Sequence, residues 1–244
     1  MTGRNAARLT GLLFITATVA DLIGASVRPD LSGTDYLTRV SAQGNGLAAG
    51  AMLLLIAAFA CAGIAVSLYP VLRKTNSGLA LGSVVFRTIE AVMYVIAVVS
   101  LLSLLTLGQH LVSADVAERA SLGVVGGLLL SLREHAALAG VFAFCLGGFL
   151  YYCALFQSRL IPRWLSGWGI AAIISMTAAG VLALANNSPV TGYAPLAFPI
   201  FLQEMVLAVW LIAKGFNQAA VRSGAPPAEE RAAAAFDDRA PVTA

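Results

Sequence analysis

Long apolar runs separated by short polar segments form the main pattern of the chain. Six runs reach the length of about 20 residues that a helix needs to cross a bilayer. They cover Leu9–Val27, Leu47–Tyr69, Leu79–Leu107, Ala136–Phe156, Leu165–Ala185 and Leu196–Ala213. The pattern predicts an all-α polytopic membrane protein, a bundle of six transmembrane helices that occupies residues 1–217 as one domain.

The first run has two interpretations. Arg4 and Arg8 precede it and small residues stand near its end, as in a cleavable signal peptide. Its apolar character continues past Asp21 to Val27, and further spans follow. These features favour a retained first helix, with cleavage as the alternative.

Composition supports a bilayer as the main partner. The chain is 59% hydrophobic and 11% charged, whereas about a quarter of an ordinary soluble domain is charged. It has no basic tract with interleaved aromatic residues, no nucleotide-binding loop and no zinc-ligand spacing, so nucleic acid, cofactors and metals are not expected. The two histidines, His110 and His135, have no second ligand one helical turn away. Protein partners are not indicated.

Basic residues predict the orientation, because arginine and lysine collect in cytoplasmic loops. One set of loops carries Arg4, Arg8, Arg73, Lys74, Arg159, Arg163, Lys214 and Arg222. The opposite loops balance or lack charge, so both termini are predicted to be cytoplasmic. The Ala/Pro-rich tail, residues 218–244, is predicted to be disordered. Residues 108–132 are expected to form a short helix on the outer surface.

Ionisable residues inside the predicted spans are the candidate site. Each costs at least about 2.5 kcal/mol near the bilayer centre, so it must face the bundle interior and find a partner. The candidates for binding a ligand or a proton are Asp21, Arg87, Glu90, His135 and Glu204.

Arg87, Glu90 and Glu204 are predicted to lie at similar depths near the bilayer midplane. Arg87 and Glu90 are spaced i, i+3 and share a helix face, and Glu204 meets them if the third and sixth spans pack together. With all three charged the group carries −1, so one carboxyl group is expected to hold its proton. The alternative is architectural, with Arg87 and Glu90 neutralising each other and Glu204 bonded to Gln203 or to a serine.

A second, outer group is expected near the ends of the first and fourth spans. Asp21 and His135 are predicted to lie at similar depth and to pair, with Arg133 as the other possible partner of Asp21. His135 is either a hydrogen-bonded packing residue or a proton relay.

Four stretches resemble a family of bacterial membrane proteins labelled domain of unknown function 4386. They are ARLTGLLFI (7–15), FRTIEAV (86–92), YYCALFQSRLIPRWLSGWGI (151–170) and EMVLAVWLIAKGF (204–216). The resemblance implies a helical bundle in the bacterial inner membrane and draws attention to Arg87, Glu90 and Glu204. It implies no reaction.

Three functions remain open from the sequence. The first is handling of a small molecule or of protons through a polar pocket among the first, third, fourth and sixth spans. The second is a non-catalytic structural or partner-binding protein with architectural charges. The third is an intramembrane enzyme acting on lipids. It is the weakest of the three, because the sequence shows no recognisable set of metal ligands or catalytic nucleophile.

Overall fold

The computed structural model describes residues 3–223, and the regular elements in that range are helices. They are α1 (Gly3–Val27), α2 (Tyr36–Ala42), α3 (Gly44–Leu72), α4 (Ser77–Leu111), α5 (Val116–Ser158), α6 (Arg163–Ala185), α7 (Ala194–Ala213) and α8 (Gln218–Ser223), with a 3-10 turn at Val190–Tyr193. Six of them, α1 and α3 to α7, are long and apolar enough to cross a membrane. The predicted all-α fold with six helices of membrane-spanning length is confirmed for the described residues.

Three segments differ from the sequence expectations. The predicted surface helix within 108–132 is not separate, because α5 runs without a break from Val116 to Ser158. Asp115 caps its start by accepting a hydrogen bond from the Glu118 backbone N–H at 2.8 Å, and no proline interrupts it. The short helix α2 was not predicted. At the C-terminal end α8 lies within the predicted disordered tail, and residues 224–244 of that tail lie outside the described range.

The six long helices form a closed ring. Each packs against its neighbours along the chain, in the order α1, α3, α4, α5, α6, α7, and α7 then packs against α1. The helix α2 rests mainly on α4. Because the ring closes, its interior is bounded by side chains from all six long helices.

The two described ends of the chain lie together at one end of the bundle, here called the terminal face. A Cβ atom at Gly215 would be 3.8 Å from the Ala7 Cβ, and the Asn217 backbone N–H donates to the Leu160 carbonyl at 2.8 Å. The α5–α6 connection therefore reaches the terminal face too, in keeping with an even number of crossings.

The outward surface of the ring is strongly apolar. Met52, Phe59 and Val66 on α3 are 59%, 63% and 57% exposed, and Val209 on α7 is 61% exposed. The interior near the terminal face contains large buried side chains such as Phe14, whereas a second apolar cluster lies at the opposite end beneath α2. Large apolar side chains that face outward on every side fit an integral membrane protein.

The helices α4 and α5 are in close contact at Gly147. A Cβ atom there would lie 2.9 Å from the Arg87 Cγ and 3.1 Å from the Arg87 backbone nitrogen. Any side chain at position 147 would therefore push α5 away from α4. By contrast, no atom lies within 4 Å of a Cβ placed on Gly127 of the same helix.

This contrast gives a test of the ring. Gly147→Ala is expected to destabilise the protein by about 1–3 kcal/mol, because the added methyl group overpacks the α4–α5 contact. Gly127→Ala is the matched control, and it is expected to be neutral or stabilising because alanine favours helix by about 1 kcal/mol over glycine. Thermal unfolding of the detergent-solubilised protein measures both. Equal unfolding midpoints for the two variants would contradict the described contact.

Candidate functional site

A cavity of about 240 Å³ lies inside the ring, and each of the six long helices contributes to its wall. Most of the lining is apolar, including Ile64, Met176 and Ile200. Three carboxyl groups and one guanidinium share this space with the apolar side chains: Asp21, Glu90, Glu204 and Arg87. An apolar pocket with a few converging polar groups is the usual form of a small-molecule site in a helical bundle.

Arg87 and Glu90 form an ion pair at the wall of the cavity. Both belong to α4, and the Arg87 Nη1 lies 2.9 Å from the Glu90 Oε2. They are 2% and 1% exposed. The Arg87 guanidinium also faces the Phe144 ring of α5, with Cζ 5.0 Å from the ring centroid, and Cys61 of α3 lies close to the Glu90 carboxyl group. The pair on α4 is therefore held against α5 as well.

The pairing of Arg87 is incomplete. Its Nε and Nη1 atoms and the Glu90 Oε2 are buried, and no hydrogen bond of good geometry reaches them. The short Nη1 to Oε2 distance is therefore a charge contact and not an aligned hydrogen bond. Two donors and one acceptor remain to be satisfied beside the cavity.

Glu204 on α7 is half-buried and stands apart from this pair. Its Oε1 accepts a hydrogen bond from the Tyr151 hydroxyl at 3.3 Å. Among residues 3–223 it has no ion-pair partner within 4 Å, although Arg87 is close enough to attract it. The helix α7 packs mainly on α1 and α6, and α4 packs mainly on α3 and α5, so Glu204 and the Arg87–Glu90 pair approach each other across the cavity.

The residue beside Glu204 has a different, structural role. The side chain of Gln203 is fully buried, accepts a hydrogen bond from the Tyr152 hydroxyl and donates through Nε2 to the Leu165 carbonyl at 3.0 Å. It therefore ties α7 to α5 and α6. The sequence alternative in which Glu204 bonds to Gln203 is not what the structure shows.

Asp21 marks the place where the cavity reaches the surface. Asp21, Leu22 on α1 and Phe201 on α7 all line the cavity, and all three are exposed. They lie in the half of the bundle away from the terminal face. Arg28 and Arg133 are close enough to attract the Asp21 carboxylate, although neither forms an ion pair with it within 4 Å.

His135 is not brought into the site. It is exposed on α5 and does not line the cavity, and no hydrogen bond or ion pair between it and Asp21 is found among the described residues. Of the five candidate residues, the structure thus gathers four around one space and leaves His135 on the outside.

Sequence reasoning missed the aromatic and thiol groups of the site. Tyr94, Phe144 and Cys61 line the cavity, and Tyr151 supplies the bond to Glu204. The pair Tyr151–Tyr152 in the middle of an apolar run carried a usable signal, because a buried tyrosine hydroxyl normally finds a polar partner.

The site therefore offers one half-buried carboxyl group, one buried ion pair and an apolar wall with an opening. No curated protein and no solved structure was found to match the chain. The family model described as Domain of unknown function (DUF4386) matches residues 9–215, which span the whole ring and all four ionisable groups of the cavity. The chain belongs to the DUF4386 family.

Proposed function

We propose that this protein binds a small molecule or a proton in the cavity inside its helical ring, with Glu204 as the principal binding group. The observation that carries the proposal is the position of Glu204, a half-buried carboxyl group that lines the cavity and has no ion-pair partner within the described chain. A charge in that place costs at least about 2.5 kcal/mol unless it is neutralised. A proton or a bound ligand supplies the neutralisation.

The contrast with Glu90 argues against a purely architectural role for both glutamates. Glu90 is buried against Arg87 in an ion pair on α4, and the stem and backbone of Arg87 pack against Gly147 of α5. Glu204 joins no such pair, and Gln203 already provides the structural link between α7 and its neighbours. In this proposal Arg87 contributes a fixed positive charge to the cavity wall, and Glu204 is available to bind a proton or a ligand.

The opening beside Asp21 and Phe201 gives the ligand a route. In the proposed orientation the terminal face, with its basic loops, lies in the cytoplasm of a bacterial inner membrane, and the opening lies in the outer half of the bilayer. The ligand would then reach Glu204 from the outer side or from the outer leaflet.

Filling the cavity is expected to abolish binding. Ala197 lines the cavity, and its neighbour Phe198 is 58% exposed on the outside of α7. In Ala197→Trp the indole occupies a large part of the about 240 Å³ available. Native mass spectrometry of protein released from its membrane is expected to show a small-molecule adduct on the wild type and on Phe198→Trp, and none on Ala197→Trp. An adduct retained by Ala197→Trp would place the ligand elsewhere and defeat the proposal.

The orientation is tested with two matched substitutions. Thr75 lies exposed in the α3–α4 turn at the terminal face, and Thr191 lies exposed before α7 at the other end. In intact cells a membrane-impermeant maleimide is expected to label Thr191→Cys, and to label Thr75→Cys only after the membrane is opened. The unsubstituted chain, whose cysteines Cys61 and Cys145 are buried and Cys153 partly so, is the background control. The reverse labelling pattern would invert the proposed orientation.

A further inference from the structure

We propose that the ligand of the cavity is a small organic cation with an apolar body, whose ammonium group pairs with Glu204 in exchange for a proton. This inference rests on the proposed function and deepens it by naming the chemical class of the ligand. It follows from the charges, the aromatic lining and the size of the cavity.

Among the three carboxyl groups of the cavity, Glu204 is the one that has no cationic side chain as its own partner in the described part of the chain. Three carboxyl groups and one guanidinium line the cavity. Glu90 is paired with Arg87, and Asp21 has Arg28 and Arg133 nearby. For Glu204 the described contact is the Tyr151 hydroxyl, a neutral donor. A single positive charge is therefore what the cavity lacks when every carboxyl group is ionised.

Within residues 3–223, the groups that surround Glu204 provide no second cation. Of the elements packed against α7, α1 contributes Asp21, α6 carries no ionisable side chain after Arg163 at its start, and the Tyr193 hydroxyl in the 3-10 turn is bonded to the end of α6. Across the cavity the titratable groups are Cys61, Arg87, Glu90, Tyr94, Tyr151 and Tyr152. Arg87 is the one cation in that set, and its ion pair within 4 Å is with Glu90, not with Glu204.

The lining suits an ammonium group that carries an apolar body. Phe14, Tyr94 and Phe201 line the same space as Glu204, and ring faces attract ammonium groups by about 0.5–2 kcal/mol. Ile64, Met176 and Ile200 complete an apolar wall. A hydrated inorganic cation would find few oxygen ligands in such surroundings.

The size limits the ligand to a compact molecule. A volume of about 240 Å³ lies just below the range of about 300–1,000 Å³ found for drug-sized ligands. A singly charged ammonium compound with one ring or a short alkyl chain fits this space. Arg28 and Arg133 near the opening disfavour ligands with several positive charges.

Binding and protonation compete because both neutralise the same carboxyl group. When the cation arrives, the Glu204 proton leaves to water, and the charge in the cavity is unchanged. Higher pH removes the competing proton. The apparent affinity for the cation should therefore rise about tenfold for each pH unit in the range where Glu204 is protonated before binding.

The test uses the full chain in phosphatidylcholine nanodiscs, whose lipids carry no net charge. The probe is benzyltrimethylammonium, because its charge does not depend on pH, and benzyl alcohol is the neutral comparison. Titration calorimetry in buffers of different ionisation enthalpy measures the affinity and the protons released. At a pH where Glu204 is protonated before binding, wild type is expected to bind the cation and to release about one proton per cation. It is expected to bind the alcohol at least about tenfold more weakly.

Two Glu→Gln variants complete the test. Glu204→Gln is expected to lose at least about tenfold in affinity for the cation and to release no proton. Glu134→Gln removes an exposed carboxyl group outside the cavity and should behave like wild type. Circular dichroism confirms that both variants are folded, and Ala197→Trp provides an independent loss of binding if Glu204→Gln does not fold.

Several results would overturn the inference. The first is that Glu204→Gln binds the cation with the affinity of wild type. The second and third are that wild type binds the cation with an affinity that does not depend on pH, or no more tightly than it binds benzyl alcohol. The fourth is that wild type does not bind the cation. If benzyl alcohol binds and Ala197→Trp abolishes that binding, the cation inference fails while the proposed cavity function stands. If Ala197→Trp binds either probe normally, the cavity function itself fails.

Discussion

Hydrocarbon cannot solvate charge, and this constraint orders the interior of the protein. The outward surface of the ring is apolar, so an ionisable side chain in the spans finds stabilising partners only on the inside. Arg87 and Glu90 meet this requirement through each other, with the Phe144 ring against the guanidinium. Glu204 meets it only in part, through the Tyr151 hydroxyl. This difference in partners is the reason for giving Arg87 and Glu90 a structural role and Glu204 the proposed binding role.

Close helix contacts make the inward placement of Arg87 possible. Gly147 lets α5 lie directly against the stem and backbone of Arg87, so the guanidinium is held in position by packing as well as by charge. Likewise Gly11 on α1 faces the Ala208 carbonyl of α7, where an added Cβ atom would be only 2.7 Å away. That second contact closes the ring near the terminal face, while the cavity reaches the surface between the same two helices nearer their other ends.

Apolar run length predicted the spans well, because the length of a membrane helix is set by the bilayer. The meeting of Arg87, Glu90 and Glu204 was also predicted, from the cost of charge in hydrocarbon. Asp21 was instead predicted to belong to a separate outer group with His135, whereas the structure brings it to the same cavity. The helix arrangement that brings these residues together was not predicted. It depends on the contact between α7 and α1 that closes the ring, and hydropathy does not show which helices are neighbours. The position of His135 was mispredicted for a related reason. The sequence indicates how deep a residue lies along its helix, but not whether its side of α5 faces the cavity or the outside. The continuity of α5 from Val116 to Ser158 was not predicted, because Arg133, Glu134 and His135 interrupt the apolar pattern between the predicted short helix and the span.

The proposed function requires that Glu204 faces a water-accessible interior and not the acyl chains. The most direct measurement is the reaction of substituted cysteines on α7 with a small, water-soluble methanethiosulfonate reagent in intact membranes. Val209, on the same helix and 61% exposed on the outside, is the lipid-facing comparison. A thiol needs water to ionise and react, so Glu204→Cys should be modified rapidly and Val209→Cys should not. Rapid modification of Val209→Cys together with an inert Glu204→Cys would contradict the account.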